Sequence, residues 1–383
     1  MAFDTCLSAT IAVDLRPLLA ARTGVGKYQA SLMRAVMQVD AGVNYIGFGR
    51  LNWTLIKAAH LDVTPQRQSG GKKISSLIAK IPFARSAYHA LQSGAYRLTC
   101  SRQGASFFHA FLYRPPSFSG LPFLPVVYDL SNKRLPQHHP IERIRWMAKL
   151  DGYIQQAPLV HTISEFSADE IVDVYGVPRE KIVVVPPGVD EVFLKTADAR
   201  GTLGKYGLHP DSFFLAVGTL EPRKNIATLV RAYADTPMAL QRKFPLVLVG
   251  MKGWSDSIPP EGQRLLQSGA LRILGYVTDE ELRDLYASTR AMFYPSVYEG
   301  FGMPIAEALA VGARVIASDI PPHREASGGQ ATFVAALDIE NWRAALVSAG
   351  LVNEPLQAQL SRPYTWSHAA EKTLEMYRRI QEN

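Results

Sequence analysis

Short apolar runs alternate with segments of helical period along the whole chain. Ser8–Val13 is a β-rich run, followed by a glycine-containing loop and a helical stretch over Tyr28–Val39; Val43–Phe48 reads as the next strand. Ser106–Phe111, Pro125–Tyr128, Leu159–Ile163 and Lys181–Val185 are further apolar runs bounded by Gly or Pro. Pro186-Pro187-Gly188-Val189-Asp190 interrupts the pattern, and the stretch to about Pro210 reads as an irregular, polar linker. A second series follows. Phe213–Val217, Pro245–Val249, Leu271–Leu274, Ala291–Pro295 and Arg314–Ala317 read as strands, and Asn225–Asp235, Asp279–Ser288 and Pro304–Val311 as helices. Thr278 with Glu281 three residues on forms a capping box for the second of these helices. In the tail, Ala370, Leu374 and Tyr377 fall on one stripe of a helix over Ser367–Ile380. The alternation predicts an α/β fold of two doubly wound, Rossmann-like domains, with ligands at the C-terminal ends of the strands in the cleft between them.

A chain of 383 residues fits two domains, and 47% apolar with 20% charged residues excludes disorder for the whole. Two cysteines, Cys6 and Cys100, support neither a disulfide framework nor a cysteine-based zinc site. No run reaches 18 apolar residues, and Asp4 and Asp14 at an N-terminus without a basic segment do not read as a signal peptide, so a cytoplasmic location is expected. The net charge of +7 is uneven: residues 51–150 hold 14 basic and 3 acidic residues, whereas residues 191–383 hold 20 and 21. A basic first half suggests an anionic partner, a plain solvated face being the alternative.

Three constellations can carry chemistry. Thr23-Gly24-Val25-Gly26-Lys27-Tyr28 places closely spaced glycines before a helix, where backbone N–H groups favour an anion. It is neither a P-loop, which needs Gly at 21 and Ser or Thr at 28, nor G-x-G-x-x-G, because Gln29 stands at the third glycine; a simple turn remains open. Gly218-Thr219-Leu220-Glu221-Pro222-Arg223-Lys224-Asn225 follows a strand directly. Arg223 and Lys224 there offer a fork and a point charge for a diphosphate, and cations at a helix start are otherwise unfavourable. Glu299-Gly300-Phe301-Gly302-Met303-Pro304-Ile305-Ala306-Glu307 sets two carboxylates around a helix start that can bind an anion. Carboxylates accept hydrogen bonds from sugar hydroxyls, so the set suggests a nucleotide sugar, two solvated glutamates being the alternative. The nine histidines show no H-x-x-x-H spacing with a carboxylate, so no metal site is expected.

The third segment resembles the E-x7-E motif of retaining family 4 glycosyltransferases, and the second their G-T-x-E-P-R-K-N segment. The first is similar to their T-G-[IV]-G-[RK]-Y loop. Ser106–Ala110, Thr162–Ser167, Lys181–Asp190 and Trp366–Tyr377 add ordered matches from about residue 10 to 380. Within the family the chain looks most similar to bacterial mannosyl- and rhamnosyltransferases of polysaccharide assembly. The resemblance implies a GT-B fold: an acceptor-binding domain over residues 1–190, a nucleotide-sugar domain over 191–365, and a helix over 366–383 that crosses back to the first. It also implies the roles. Arg223 and Lys224 bind the donor diphosphate, and Glu299 holds the donor sugar with Gly300, Phe301 and Gly302. Glu307 binds the ribose, and Gly24, Val25, Gly26 and Thr219 lie against the donor. The backbone at Val277 lines the base pocket, and no metal or other cofactor is needed.

One departure stands out: the family commonly has His-Asp where this chain has Tyr128-Asp129. Tyr128 can donate one hydrogen bond to a sugar hydroxyl but cannot act as imidazole. The implied reaction is transfer of mannose from GDP-mannose to a polyprenyl-diphosphate-linked or lipopolysaccharide-type glycan. Lys72–Arg97, with five cations among apolar side chains, suits peripheral contact with an anionic membrane at its cytoplasmic face. Another donor such as GDP-rhamnose or UDP-glucose, a 2-epimerase of the same architecture, and a nucleotide-sugar-binding subunit without catalysis are the rival readings. No aromatic-basic RNA motif is present, and no nucleic-acid partner is expected.

Overall fold

The computed structural model describes residues 9–19, 24–48, 53–56, 61, 94, 98–111, 121–251, 253, 258–351 and 364–382. Apart from Gly94, the basic Lys72–Arg97 segment lies outside them, as does Thr23. The first domain is a seven-stranded sheet built from β1 (Ala9–Asp14), β2 (Val43–Phe48), β3 (Trp53–Ile56), β4 (Ala105–Ala110), β5 (Phe123–Val127), β6 (Val160–Thr162) and β7 (Ile182–Val184). Their order is β3-β2-β1-β4-β5-β6-β7. All neighbours are parallel except β3, an antiparallel edge strand that the alternation did not predict. Helix α1 (Gly24–Val39) crosses from β1 to β2, and α2 (Glu165–Tyr175) follows β6. α1 begins at Gly24, so the glycines expected in a loop form its first turn.

The stretch after Asp190 is not irregular throughout. Glu191–Leu194 makes a 3-10 turn and Arg200–Tyr206 forms α3, because Phe193 and Leu203 bury in the second domain. That domain is a parallel six-stranded sheet of β8 (Phe214–Val217), β9 (Leu246–Val249), β10 (Leu271–Gly275), β11 (Ala291–Tyr294), β12 (Val315–Ser318) and β13 (Thr332–Val334), in the order β10-β9-β8-β11-β12-β13. Every residue of β8, β9, β11 and β12 is buried, as parallel strands covered on both faces require. Helices α4 (Ile226–Ala234), α5 (Asp279–Ser288), α6 (Met303–Ala310) and α7 (Pro321–Ser327) connect these strands. The Thr278–Glu281 capping box is formed at α5. Strand order reverses beside β1 in one sheet and beside β8 in the other, so each domain offers a ligand crevice at the end of those strands.

The last helix, α8 (Trp366–Glu382), returns to the first domain. Its Ala370, Leu374 and Tyr377 stripe packs in one apolar cluster with Ile11, Val13 and Leu32. A buried polar chain fixes it there. Tyr45 meets Tyr377 at 3.0 Å, Tyr377 meets His109 Nδ1 at 2.9 Å, His109 Nε2 meets His161 Nδ1 at 2.9 Å, and His161 Nε2 meets Tyr28 at 2.8 Å. Tyr28 spends its only hydroxyl proton on the Val185 carbonyl. Each upstream group must then donate toward Tyr28, which makes both imidazoles neutral Nε2–H tautomers. Burial supports this by pulling His161 down to about 3 and His109 well below the usual range.

Candidate active site

The end of β8 builds the cationic side of the cleft. Pro222–Lys224 makes one 3-10 turn, and Asn225 after it is left-handed at φ 54°. That costly conformation is held by the Asn225 side-chain amide, which donates to the carbonyls of Pro295 (3.0 Å) and Ala336 (2.7 Å). The turn is thereby tied to the end of β11 and to the loop after β13. Arg223 and Lys224 project into the cleft with only 16% and 12% of their side chains exposed.

Glu299, in the loop between β11 and α6, pairs with both. One carboxylate oxygen accepts from the Arg223 guanidinium, the other from the Lys224 ammonium and from the Tyr294 hydroxyl at 2.9 Å. Arg223 also pairs with Glu221 at 2.8 Å and donates to the Tyr298 carbonyl at 3.0 Å. Burial opposes the charge on Glu299, but the two cations outweigh it and hold the carboxyl well below the usual range. Burial, joined by Arg223 and opposed by Glu299, draws Lys224 below the usual lysine range. One ammonium proton and two guanidinium N–H groups are left over from these bonds for a ligand in the cleft.

The following glycines bring the two domains together. A Cβ on Gly300 would lie 1.9 Å from the Tyr128 carbonyl oxygen, so this position tolerates no side chain. Ser164 and Ser167, at the start of α2, both donate hydroxyl protons to the Gly300 carbonyl. Gly302 adopts φ 118°, which aims the α6 N-terminus into the cleft. Tyr298 accepts from the Leu130 amide at 3.2 Å and donates to Glu170 at 3.1 Å. Glu325 of α7 accepts from the first two amides of α2 at 2.9 and 3.2 Å, a carboxylate of one domain capping a helix of the other.

The opposite side of the cleft is acidic. Glu307 on α6 is buried, with one oxygen 3.3 Å from the Tyr286 hydroxyl and the other 3.6 Å from the Lys27 ammonium. Lys27 reaches it from the first turn of α1 and also pairs with Asp279 (3.2 Å) and Asp190 (3.3 Å). Asp190 accepts in addition from Trp366 Nε1 at 2.6 Å and Ser31 at 3.1 Å, which joins the interdomain segment to α8. Burial pushes Glu307 up to about 7, opposed by Lys27 and reinforced by Asp279 and Asp190.

Between these sides lies a cavity of about 470 Å³. Arg223, Lys224, Glu299 and Glu307 line it, as do Gly24, Val25, Tyr128, Thr219, Gly300, Phe301 and Gly302. Gly26 and Val277 do not. Gly26 is buried within the first turn of α1, and the Val277 side chain packs in the second domain's apolar cluster with Leu285 and Tyr286. Lys27, Asp129, Asp190 and Tyr294 line the cavity although they were not picked out as site residues. Lys27 lies within the Thr23–Tyr28 motif, but its reach across the cleft has no local sequence signal. Tyr294 read only as a buried strand residue. Among the described residues, no group of three or more His, Cys, Asp and Glu is placed to hold a metal ion, and no helix is long and apolar enough to cross a membrane.

Comparison with known proteins agrees with this fold. Residues 58–193 match the model of Glycosyltransferase Family 4, and residues 204–349 that of the Glycosyl transferases group 1. O-antigen chain mannosyltransferase B of Escherichia coli is 29% identical over 93% of this chain and 96% of its own length. The crystal structure of Anabaena Alr3699/HepE in complex with UDP and glucose superposes with a TM-score of 0.69 over 97% of this chain and 99% of that one, at 15% identity. WaaG, a glycosyltransferase involved in lipopolysaccharide biosynthesis, does so with a TM-score of 0.62 over 95% of each chain, at 18% identity. Two Rossmann-like domains meeting over a cleft that holds a cation-paired Glu299 and an acid-flanked Glu307, and family models matching in both halves, lead to one assignment: the chain belongs to the family 4 glycosyltransferases of GT-B fold.

Proposed function

We propose that this glycosyltransferase moves mannose from GDP-mannose, with retention of anomeric configuration, onto a polyprenyl-diphosphate-linked or lipopolysaccharide-type glycan. The observation that carries the reading is the Arg223–Glu299–Lys224 cluster at the end of β8, with Glu307 in the same cavity. A nucleotide sugar has one anionic group, the diphosphate, between two hydroxyl-bearing ends. The cavity is lined by paired cations, by the buried Glu299 that touches both, and by a second buried carboxylate, Glu307. The diphosphate sits against Arg223 and Lys224, the sugar against Glu299, and the ribose against Glu307.

The bond from the sugar C1 to the diphosphate oxygen breaks, and its electron pair leaves with the diphosphate. The acceptor hydroxyl oxygen bonds to C1 on the same face, and its proton passes to the departing phosphate oxygen. The leaving group thus gains charge at the transition state, where Arg223 and Lys224 are already oriented by Glu299 and Tyr294. Preorganised charge of this kind stabilises a transition state without reorganisation at the moment of reaction. In this reading the two cations take the electrostatic role, the reaction is metal-independent, and activity survives chelator. Mannose is favoured by similarity to O-antigen chain mannosyltransferase B over nearly the full length of both chains. The excess of basic residues over 51–150 suits an acceptor with an anionic lipid anchor and peripheral work at the cytoplasmic membrane face.

The test is acceptor-dependent release of GDP from GDP-mannose, with lipid-linked glycan as acceptor and the product's anomeric configuration read by NMR. Release of UDP from a UDP-sugar instead would keep the site and replace the donor. Nucleotide binding without any turnover across donors and acceptors would leave a binding subunit.

A further inference from the structure

Lys27 is the one cation of α1's first turn, and it faces three carboxylates: Asp279 of α5, Asp190 between the domains, and Glu307 of α6. The Phe193 ring lies 5.1 Å from its ammonium, and the Tyr286 hydroxyl sits on the far oxygen of Glu307. Two features of this cluster are unusual. Among the described residues, one ammonium is shared by three carboxylates within 4 Å. The Lys27–Glu307 separation, 3.6 Å, is an ion-pair contact without a hydrogen bond, whereas Lys27 is hydrogen-bonded to Asp279. Lys27 is 30% exposed and lines the cavity, so a ligand can reach the pair.

A sugar hydroxyl is both donor and acceptor. Placed at the Lys27–Glu307 pair, it donates its proton to the carboxylate and accepts from the ammonium. It converts a loose ion pair into two charge-assisted hydrogen bonds, which are the stronger kind. The ammonium keeps Asp279 and Asp190 while it does so; burial opposes its charge, and Glu307, Asp190 and Asp279 together outweigh burial and hold it charged. We infer that Lys27 is a ribose-reading residue, which together with Glu307 recognises a hydroxyl of the nucleotide's ribose from the other domain. The inference rests on the assignment of Glu307 to the ribose and adds a partner to it. The consequence is discrimination: a 2′- or 3′-deoxyribose leaves the pair without its bridging hydroxyl, and an ammonium cannot replace it.

The experiment measures binding of GDP and UDP, and of their 2′-deoxy and 3′-deoxy forms, by calorimetry. Wild type, Lys27→Met, Lys27→Arg, Glu307→Gln and the Lys27→Met/Glu307→Gln double variant are compared, each checked for an unchanged cooperative melt. Wild type is expected to bind the preferred ribonucleotide about 10-fold or more tighter than one of its deoxy forms, the factor of a charge-assisted hydrogen bond. Lys27→Met is expected to lose most of that ratio by weakening the ribonucleotide alone, Lys27→Arg to keep part of it, and the double variant to lose no more than either single one. Equal weakening of ribo- and deoxy-forms by Lys27→Met would overturn the inference, as would an unchanged ratio. Failure of the underlying reading looks different: wild type then binds neither nucleotide, or Glu307→Gln leaves ribose discrimination intact.

Discussion

Glu299 and Glu307 stand eight residues apart in one loop-and-helix segment, are both buried, and are driven in opposite directions. Glu299 touches two cations and a tyrosine hydroxyl, and is held ionised well below the carboxylate range. Glu307 has one ammonium at 3.6 Å, shared with two other carboxylates, and titrates near 7. Burial is the first cause in both, so the difference comes from the count of neighbouring charges. At one end of the cleft Glu299 stays ionised throughout the working range. The other is an adjustable acceptor that a hydroxyl-bearing ligand can complete. The same motif thus supplies a rigid, fully paired end and a responsive one, which the proposed function assigns to catalysis and to ribose recognition.

The largest effects belong to the rigid end. Lys224→Met is expected to lower kcat by roughly 10²–10³-fold or more, in line with removal of one preorganised charge, with a cooperative melt retained. Glu299→Ala is expected to abolish transfer and also to destabilise the fold by about 3–5 kcal/mol, because it strands two enclosed cations. Equal activity in wild type and Lys224→Met would remove the basis for a distinct catalytic end. Gly300→Ala comes next. Its methyl would meet the Tyr128 carbonyl, so the domains must part by an ångström or more, and kcat/KM is expected to drop about 100-fold. A larger radius of gyration by X-ray scattering should accompany the loss.

The responsive end should show itself in pH dependence. In the proposed function ribose hydroxyls donate to the carboxylate form of Glu307, so binding is expected to lower its pKa and release a proton. Nucleotide affinity is therefore expected to fall as pH drops through about 7, approaching tenfold per unit below it, while Glu307→Gln flattens the profile. For folding the sign reverses. The raised pKa means the native state holds the proton between 4.5 and about 7, so its contribution to stability is greatest at low pH and is lost as pH rises through that window. Glu299 should impose no titration in this range. The smallest expected effect is Tyr128→Phe, which keeps the edge contact with Tyr28 at 5.6 Å and removes one hydroxyl, raising donor KM by less than about tenfold.

Much of this was readable from the sequence because it is local. The alternation of runs such as Phe213–Val217 and Asn225–Asp235 gives two wound sheets, and the capping box at Thr278 marks a helix start without reference to the rest of the molecule. What escaped is non-local. Lys27 meets Glu307 only after the domains dock, and Tyr294 joins Lys224 only because β11 lies beside β8. The segment after Asp190 looked like a linker because Pro186–Asp190 breaks the alternation and the stretch reads as irregular and polar, yet Phe193, Leu203 and Leu208 each fill a place in the second core. The Val277 side chain packs in the second core, which leaves only its backbone for the base-pocket role that the resemblance implies.

The most direct measurement compares thermal stabilisation by GDP and by guanosine in wild type and in Lys224→Met. A ligand that binds only the native state raises the melting temperature by mass action. GDP should stabilise wild type far more than guanosine does, and Lys224→Met should erase most of that difference. Equal stabilisation of both proteins by GDP would contradict a diphosphate held at the Arg223–Lys224 end of the cleft.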